Sequence, residues 1–132
     1  MKVVFQILLS AILCTACFFT GTQATPKIWD DNKEDLIEIV NRVSSNSKNY
    51  EEGANKIPED LDFSYCEHFI VSGDLKDRNN ITITFYTNSG LVDHYSAIIY
   101  TTQKGLIEQL EYNVKNGGND FKLKNNWYAI ND

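Results

Sequence analysis

The second half of the chain alternates apolar and polar residues with a period of two. Within Ile81–Thr87, isoleucine and phenylalanine alternate with threonine and tyrosine. Because neighbouring side chains of a strand point to opposite faces, Ile81, Ile83 and Phe85 are expected on one face of a sheet. The Asn88-Ser89-Gly90 tripeptide that follows is typical of a turn. These features predict a β-strand that ends before this turn.

Three later segments show the same alternation and are predicted to be strands: Val92–Thr102, Leu106–Val114 and Phe121–Ala129. Lys104-Gly105 and Asn116–Asn119 separate them, and glycine permits the positive φ angles of tight turns. Connections this short leave no room for crossovers. We therefore expect the strands to pair as antiparallel neighbours.

An amphipathic helix is predicted upstream of the strands. Its apolar residues recur at i, i+3, i+4 and i+7, which is one stripe of a helix: Leu36, Ile39, Val40 and Val43. Asp31 followed by Glu34 resembles a capping box at the start of this helix. Pro26 is expected to keep the preceding residues, Thr25–Trp29, extended.

The segment Tyr50–Asp62 has no clear period. Glu51–Lys56 is compatible with a second short helix that Pro58 would interrupt, and an irregular connection or lid is the other interpretation. Phe63–Val71 returns to strand character. Together the patterns predict an α+β fold, with one N-terminal amphipathic helix packed on a curved antiparallel meander of four to five strands.

The predicted registers place a second apolar and aromatic set on the face turned away from the helix. Its members are Tyr86, Ile98, Tyr100, Tyr128 and Ile130. An exposed aromatic patch marks a surface for a ligand or a partner. Tyr86, Ile98, Tyr100 and Tyr128 are therefore the candidate binding residues, unless Tyr50–Asp62 covers this face.

Residues 1–24 have the features of a secretory signal peptide. Lys2 precedes an apolar run from Val3 to Phe19, and small residues precede the cleavage site predicted after Ala24. Removing 24 of 132 residues leaves a single predicted domain, residues 25–132. This domain is expected to be secreted and to have no membrane attachment after cleavage. An uncleaved signal anchor and a lipoprotein attached through Cys17 are the alternatives.

The net negative charge of the chain disfavours some classes of binding partner. The formal net charge is −6, and loss of Lys2 with the signal peptide lowers it to −7. Nucleic acids and anionic membrane surfaces are bound by basic patches, so neither is expected as a partner.

Cys66 is the single cysteine left after signal cleavage, so an internal disulfide is excluded. The thiol is expected either to be buried or to pair with another chain. Cys66 and His68 are two residues apart and would share a strand face, whereas Asp93 and His94 would point to opposite faces. The chain has no HExxH, no GxSxG and no glycine-rich phosphate loop. We therefore expect no catalytic residue, no metal and no cofactor.

Asn80-Ile81-Thr82 is an N-glycosylation sequon in a predicted surface turn. Asn80 is thus a candidate modification site in a eukaryotic secretory pathway.

The order of elements resembles the cystatin-like group of folds, and Phe121–Trp127 resembles the final strands of small secreted NTF2-like domains. This resemblance implies a pocket between helix and sheet and a homodimer formed through the open face of the sheet. The QxVxG hairpin and the Pro-Trp hairpin of inhibitory cystatins do not occur in the chain. The resemblance therefore assigns no inhibitory role to any residue of this chain.

The sequence favours a secreted non-enzymatic binding domain. Its partner would be a small apolar ligand in the helix–sheet pocket or a protein on the open sheet face. A small hydrolase-like enzyme using Cys66, His68 or His94 is one alternative, and a secreted inhibitor or effector is the other.

Overall fold

The computed structural model describes residues 21–89 and 95–131, with side chains for residues 25–88 and 95–131. The apolar part of the predicted signal peptide, the turn at Gly90 and the Asp93-His94 pair lie outside the described residues. Within the described ranges, no helix is both long enough and apolar enough to cross a membrane.

The described chain is an α+β fold with two helices and six strands, which confirms the predicted class. The helices are α1 (Gly21–Ser45) and α2 (Lys104–Lys115), and a short 3-10 turn covers Ser47–Asn49. The strands are β1 (Gly53–Lys56), β2 (His68–Gly73), β3 (Ile81–Ser89), β4 (Tyr95–Thr101), β5 (Phe121–Lys124) and β6 (Trp127–Asn131).

The strands form one antiparallel sheet in the order β1-β2-β3-β4-β6-β5. The sheet has six strands among the described residues, whereas the sequence predicts four to five. The chain leaves β4 through α2 and returns as the edge strand β5. A tight turn at Asn125-Asn126 then places β6 between β5 and β4. Asn126 has a φ of 69°, a left-handed conformation that asparagine tolerates better than most residues.

The predicted strand Leu106–Val114 is wrong, because this segment is helix α2. Leu106, Leu110 and Val114 are four residues apart, so they satisfy a two-residue period and also lie on one side of a helix. Most of the other residues of α2 are glutamate, glutamine and lysine, which favour helices, as leucine does. Helix propensity therefore decides between two periods that the apolar positions alone allow.

Helix α1 is longer than predicted and includes Pro26, so the extended lead-in is wrong. Asp31 lies inside the helix, where it pairs with Lys27 instead of capping the N-terminus. Proline removes one helical hydrogen bond, but the helix buries Ile28 and Trp29 just after it. This packing favours the helical conformation over the extended one.

The main core lies between α1 and one face of the sheet, called the inner face here. The predicted stripe of α1 is buried against residues from all four central strands. The inner-face residues are Phe69, Val71, Ile81, Ile83, Phe85, Ile98, Tyr100, Trp127 and Ala129. The ring of Trp127 lies 4.8 Å from that of Trp29 on α1 and stacks on Phe85 at 6.3 Å. Aromatic packing therefore fixes α1 on the sheet.

The segment Tyr50–Asp62 packs on the inner side of the molecule. It contains β1, so the interpretation of Glu51–Lys56 as a short helix is wrong. Ile57 is buried in the core beside α1, and Asp60 accepts two hydrogen bonds from Arg42 of α1 at 2.6 and 2.9 Å. The segment is thus attached to α1 and does not supply a cover for the opposite face.

The substitution Leu36→Ala is expected to lower the free energy of unfolding by about 2–5 kcal/mol, because it leaves a cavity under α1. Urea unfolding followed by circular dichroism measures this loss. Asn41→Ala is the matched control, since Asn41 is exposed on the same helix and its loss should change stability by less than about 0.5 kcal/mol. Equal effects of the two substitutions would contradict the placement of the core.

Candidate ligand-binding cleft

Helix α2 covers part of the outer face, which is the side of the sheet opposite α1. Leu110 of α2 is buried, and Tyr128 of β6 has only 1% of its surface exposed. Ile99 of β4 and Ile130 of β6 lie on the same face and line a cleft beside α2. The outer face is therefore partly sealed by α2 and partly open at this cleft.

Glu111 holds α2 to the sheet. Its Oε1 atom accepts a hydrogen bond from the Tyr128 hydroxyl at 2.7 Å and another from Nζ of Lys122 on β5. The bonds from Lys122 and Tyr128 lower the pKa of the Glu111 carboxyl. Burial, together with the bond to Glu111, raises the pKa of Tyr128 to about 12. At neutral pH the contact therefore joins a carboxylate to a neutral phenol.

The side of α2 that faces the cleft carries both apolar and amide residues. Leu106 and Leu110 lie along it together with Gln109 and Asn113. Asn116 follows the last residue of the helix and also lines the cleft, and its Nδ2 donates to the Tyr112 carbonyl at 2.8 Å. Burying an amide without a hydrogen-bond partner costs about 1–3 kcal/mol. Full closure of this side onto the isoleucines of the sheet is therefore unfavourable. A cleft of about 660 Å³ lies between the two surfaces.

The far end of the cleft is built from the loop that follows α2 and from the last residue of β6. The main-chain N–H of Asn131 donates to Asp120 at 3.1 Å, and its side-chain Nδ2 donates to the carbonyl of Asn119 at 2.6 Å. The buried Thr25 hydroxyl donates to Asn131 Oδ1 at 2.7 Å. These bonds hold Asn131 in place and connect this end of the cleft to α1.

Tyrosine side chains border the open part of the cleft. Tyr95 lines the cleft with 39% of its surface exposed, and its ring lies 5.9 Å from that of Tyr86, which is 43% exposed. We call Tyr86 and Tyr95 the tyrosine pair. Tyr112 of α2 also lines the cleft and is 66% exposed. The outer face thus presents aromatic surface that continues from the cleft.

The four predicted binding residues do not share one face, so that part of the prediction is wrong. Ile98 and Tyr100 belong to the inner face, where they pair with Phe85 and Ile83. Tyr86 and Tyr128 belong to the outer face, and Tyr86 alone of the four is exposed. The prediction fails because β4 is apolar on both sides, and alternation does not indicate which side faces α1.

Sequence reasoning missed the amides of α2, because it treated their segment as a strand. Gln109, Asn113 and Asn116 recur at intervals of three and four residues, which places them on one side of a helix. The helix-forming composition of Lys104–Lys115 was the available signal.

Cys66 and His68 have different surroundings in the structure. Cys66 is half-buried against the inner core, whereas His68 is exposed in β2, next to the inward-facing Phe69. Burial raises the pKa of the Cys66 thiol to about 11, although a hydrogen bond with the Tyr86 backbone acts in the opposite direction. His94 lies outside the described residues. Among the described residues, no three His, Cys, Asp or Glu side chains are grouped closely enough to hold a metal ion.

Asn80 is exposed in the turn before β3. Its carbonyl accepts a hydrogen bond from the N–H of Asp74 at 2.8 Å, and its own N–H donates to the carbonyl of Asp77 at 2.9 Å. The main chain of Asn80 is therefore fixed while its side chain faces solvent, and glycosylation at this residue stays a prediction.

The fold and the cleft define a small α+β domain whose antiparallel sheet carries a helix on each face. Comparison with models of known protein families, with curated proteins and with solved structures finds no match for this chain. The resemblance to cystatin-like and NTF2-like domains therefore stays an expectation from the order of elements.

The substitution Tyr128→Phe is expected to lower the free energy of unfolding by roughly 1 kcal/mol at pH 7, because it removes the hydrogen bond to Glu111. The raised pKa of Tyr128 stabilises the fold below the pKa of an unfolded tyrosine, about 10. This contribution is lost as the pH rises from about 10 to about 12. The stability difference between wild type and variant should therefore shrink over that interval in urea unfolding experiments.

Tyr112→Phe provides the control for this series, since Tyr112 lies on the same helix and is largely exposed. Its stability should follow that of the wild type at every pH. A Tyr128→Phe variant that also matches the wild type throughout would exclude the contact with Glu111.

The Cys66 thiol of the folded protein is expected to react at least roughly tenfold more slowly than a free cysteine at pH 7.5. The reason is that its raised pKa leaves little thiolate. The reaction with a chromogenic disulfide reagent measures the rate, and the urea-unfolded protein serves as the control. A folded thiol that reacts as fast as the unfolded one would show that Cys66 is activated or open to solvent.

Proposed function

We propose that this protein is a secreted, non-enzymatic binding domain whose ligand occupies the cleft between α2 and the outer face of the sheet. The observation that carries the proposal is that the side of α2 facing the cleft presents both apolar and amide side chains. Gln109, Asn113 and Asn116 face a surface on which Ile99 and Ile130 are apolar. A small-molecule site typically combines an apolar surface with a few polar groups that orient the ligand.

The size of the cleft supports this assignment. Its volume of about 660 Å³ lies within the range of small-molecule sites, roughly 300–1,000 Å³. Its walls belong to regular elements on most sides, since α2 is attached through Glu111 and β6 through Asn131. A site with fixed walls loses little conformational freedom when a ligand binds.

The space between α1 and the sheet supports a ligand less well. Leu36, Ile39 and Val43 of α1 are completely buried there, as are Phe69 and Phe85 of the sheet. Their side chains occupy the region that an apolar ligand would need. The proposal therefore places the ligand on the other side of the sheet.

The chemistry of the cleft favours binding over catalysis. Asp120 is the one carboxylate among the described residues that line it, and Asp120 accepts a hydrogen bond from the N–H of Asn131. General acid–base catalysis requires a group whose pKa suits proton transfer and which lies within reach of the substrate. The cleft lining consists mainly of amides, tyrosines and aliphatic residues, which bind and orient a ligand but transfer no proton at neutral pH.

Fragment mapping by NMR tests the proposal without a known ligand. The ¹⁵N-labelled protein is titrated with N-methylacetamide, 2-propanol and glucose as separate probes. Amide shifts are expected to concentrate on residues of α2, β4 and β6 that line the cleft, because amide and apolar groups converge there. Shifts scattered over the surface, or none with any probe, would contradict the proposal.

Asn113→Leu should reduce these shifts, because it replaces an amide of the cleft by a larger apolar group. Glu108→Gln is the matched control, since Glu108 is exposed on the same helix and does not line the cleft. Both variants are expected to keep the wild-type circular dichroism spectrum.

A further inference from the structure

We infer that the ligand of the cleft is a neutral oligosaccharide, which binds with one sugar unit in the cleft and another on the tyrosine pair. This inference rests on the proposed function and specifies the ligand class for the same site.

The charges around the cleft exclude the charged classes of ligand. No Lys, Arg or His is among the described residues that line it, and Asp120 is the one charged side chain there. The chain as a whole has a net charge of −6. An anionic ligand would therefore find no positive charge in the cleft, and the net negative charge of the protein would repel it. A cationic ligand would find one carboxylate, which already accepts a hydrogen bond from Asn131.

The amides match a ligand that both donates and accepts hydrogen bonds. A side-chain amide offers two N–H donors and one carbonyl acceptor. A sugar hydroxyl likewise donates one hydrogen bond and accepts others. Gln109 and Asn113 supply such amides on the α2 side of the cleft, whereas the side-chain amide of Asn131 already bonds with Thr25 and Asn119. A ring that carries hydroxyls around its edge can bond with Gln109 and Asn113.

The apolar and aromatic surfaces match the remaining part of a sugar ring. The C–H groups of a pyranose form weakly polar faces, which pack on aliphatic and aromatic side chains. Ile99 and Ile130 supply an aliphatic surface within the cleft, and Tyr95 and Tyr112 supply aromatic rings at its border. Tyrosine combines a large apolar ring with a hydroxyl, so it can contact both the C–H face and the hydroxyl groups of a sugar ring.

The position of Tyr86 favours more than one sugar unit. Its ring contacts that of Tyr95 but is not part of the cleft lining. Aromatic surface therefore continues outside the cleft along the outer face of β3 and β4. A single sugar unit would occupy the cleft, whereas a linked second unit would reach the tyrosine pair.

A peptide fits this site less well. Extended peptides commonly bind by adding a strand to the free edge of a sheet. The cleft lies over β4 and β6, and each of these strands already pairs with a neighbour on both sides. The main chain of a peptide would therefore find no unpaired sheet edge there.

A purely apolar ligand is also disfavoured. It would cover Gln109 and Asn113 and would offer these amides no hydrogen-bond partner in place of water. Amides left buried without partners oppose binding. The hydroxyl groups of a sugar restore those bonds.

Calorimetric and NMR titrations with defined neutral hexasaccharides test the inference. The probes are hexamers of β-1,4-glucose, α-1,4-glucose and β-1,4-N-acetylglucosamine, and the capped peptide acetyl-hexaalanine amide is the comparison. At least one hexasaccharide should bind with a dissociation constant in the micromolar to low-millimolar range and shift the amide signals of the cleft. A hexamer should bind at least tenfold more tightly than its own monosaccharide.

Two variants locate the two parts of the site. Asn113→Ala should weaken binding of both the hexamer and the monosaccharide at least fivefold. Tyr86→Ala should weaken the hexamer about tenfold and leave the monosaccharide unchanged, whereas Tyr86→Phe should keep near wild-type affinity because the ring remains. Tyr65→Ala is the control, since Tyr65 is exposed but lies outside the cleft lining.

The outcomes distinguish this inference from the proposed function. If the small probes map to the cleft but no hexasaccharide binds, or if the peptide binds more tightly, the oligosaccharide assignment is wrong and the cleft remains a binding site. If neither the small probes nor the hexasaccharides shift residues of the cleft, both are wrong. A loss of binding in the Tyr65→Ala control would also overturn the assignment, because the site would lie elsewhere.

Discussion

The sheet of this protein must be covered on both faces, and the rest of the structure depends on that requirement. Ala97, Ile98 and Ile99 are consecutive residues of β4, and all three are buried. Because neighbouring side chains of a strand point to opposite faces, such a run leaves neither face suited to water. Helix α1 covers the inner face and helix α2 covers part of the outer one.

The two covers differ in chemistry, and this difference produces the candidate site. Helix α1 presents an unbroken apolar stripe, which excludes water and buries Phe85 and Trp127. Helix α2 presents amides as well as leucines. It contacts the sheet through the bond from Tyr128 to Glu111, and a cleft stays open beside this contact. The sheet therefore has one face that is closed by apolar side chains and one face with a partly polar cleft, in which we propose that the ligand binds.

The elements around the cleft are connected to the main core. Glu111 attaches α2 to two strands through Tyr128 and Lys122. The hydrogen bond from Thr25 to Asn131 connects the other end of the cleft to α1. Supporting contacts of this kind hold the groups of a binding site in a defined geometry. The position of the cleft walls thus depends on packing that lies mostly outside the cleft.

The sequence by itself determined the α+β class, the apolar stripe of α1 and the inner side of β3, because each of these has one dominant period. It also indicated the turn after α2, where Gly117 adopts a positive φ of 88°. The apolar positions of Leu106–Val114 left helix and strand open, since residues four apart satisfy both periods, and within the sequence only the helix-forming composition of the segment favoured a helix. Only the tertiary structure decided which side of β4 faces α1, because Ile98 and Ile99 are equally apolar and the choice depends on the neighbouring strands. The cleft could not be predicted for the same reason: its amides face β4 and β6 only once α2 is folded over them.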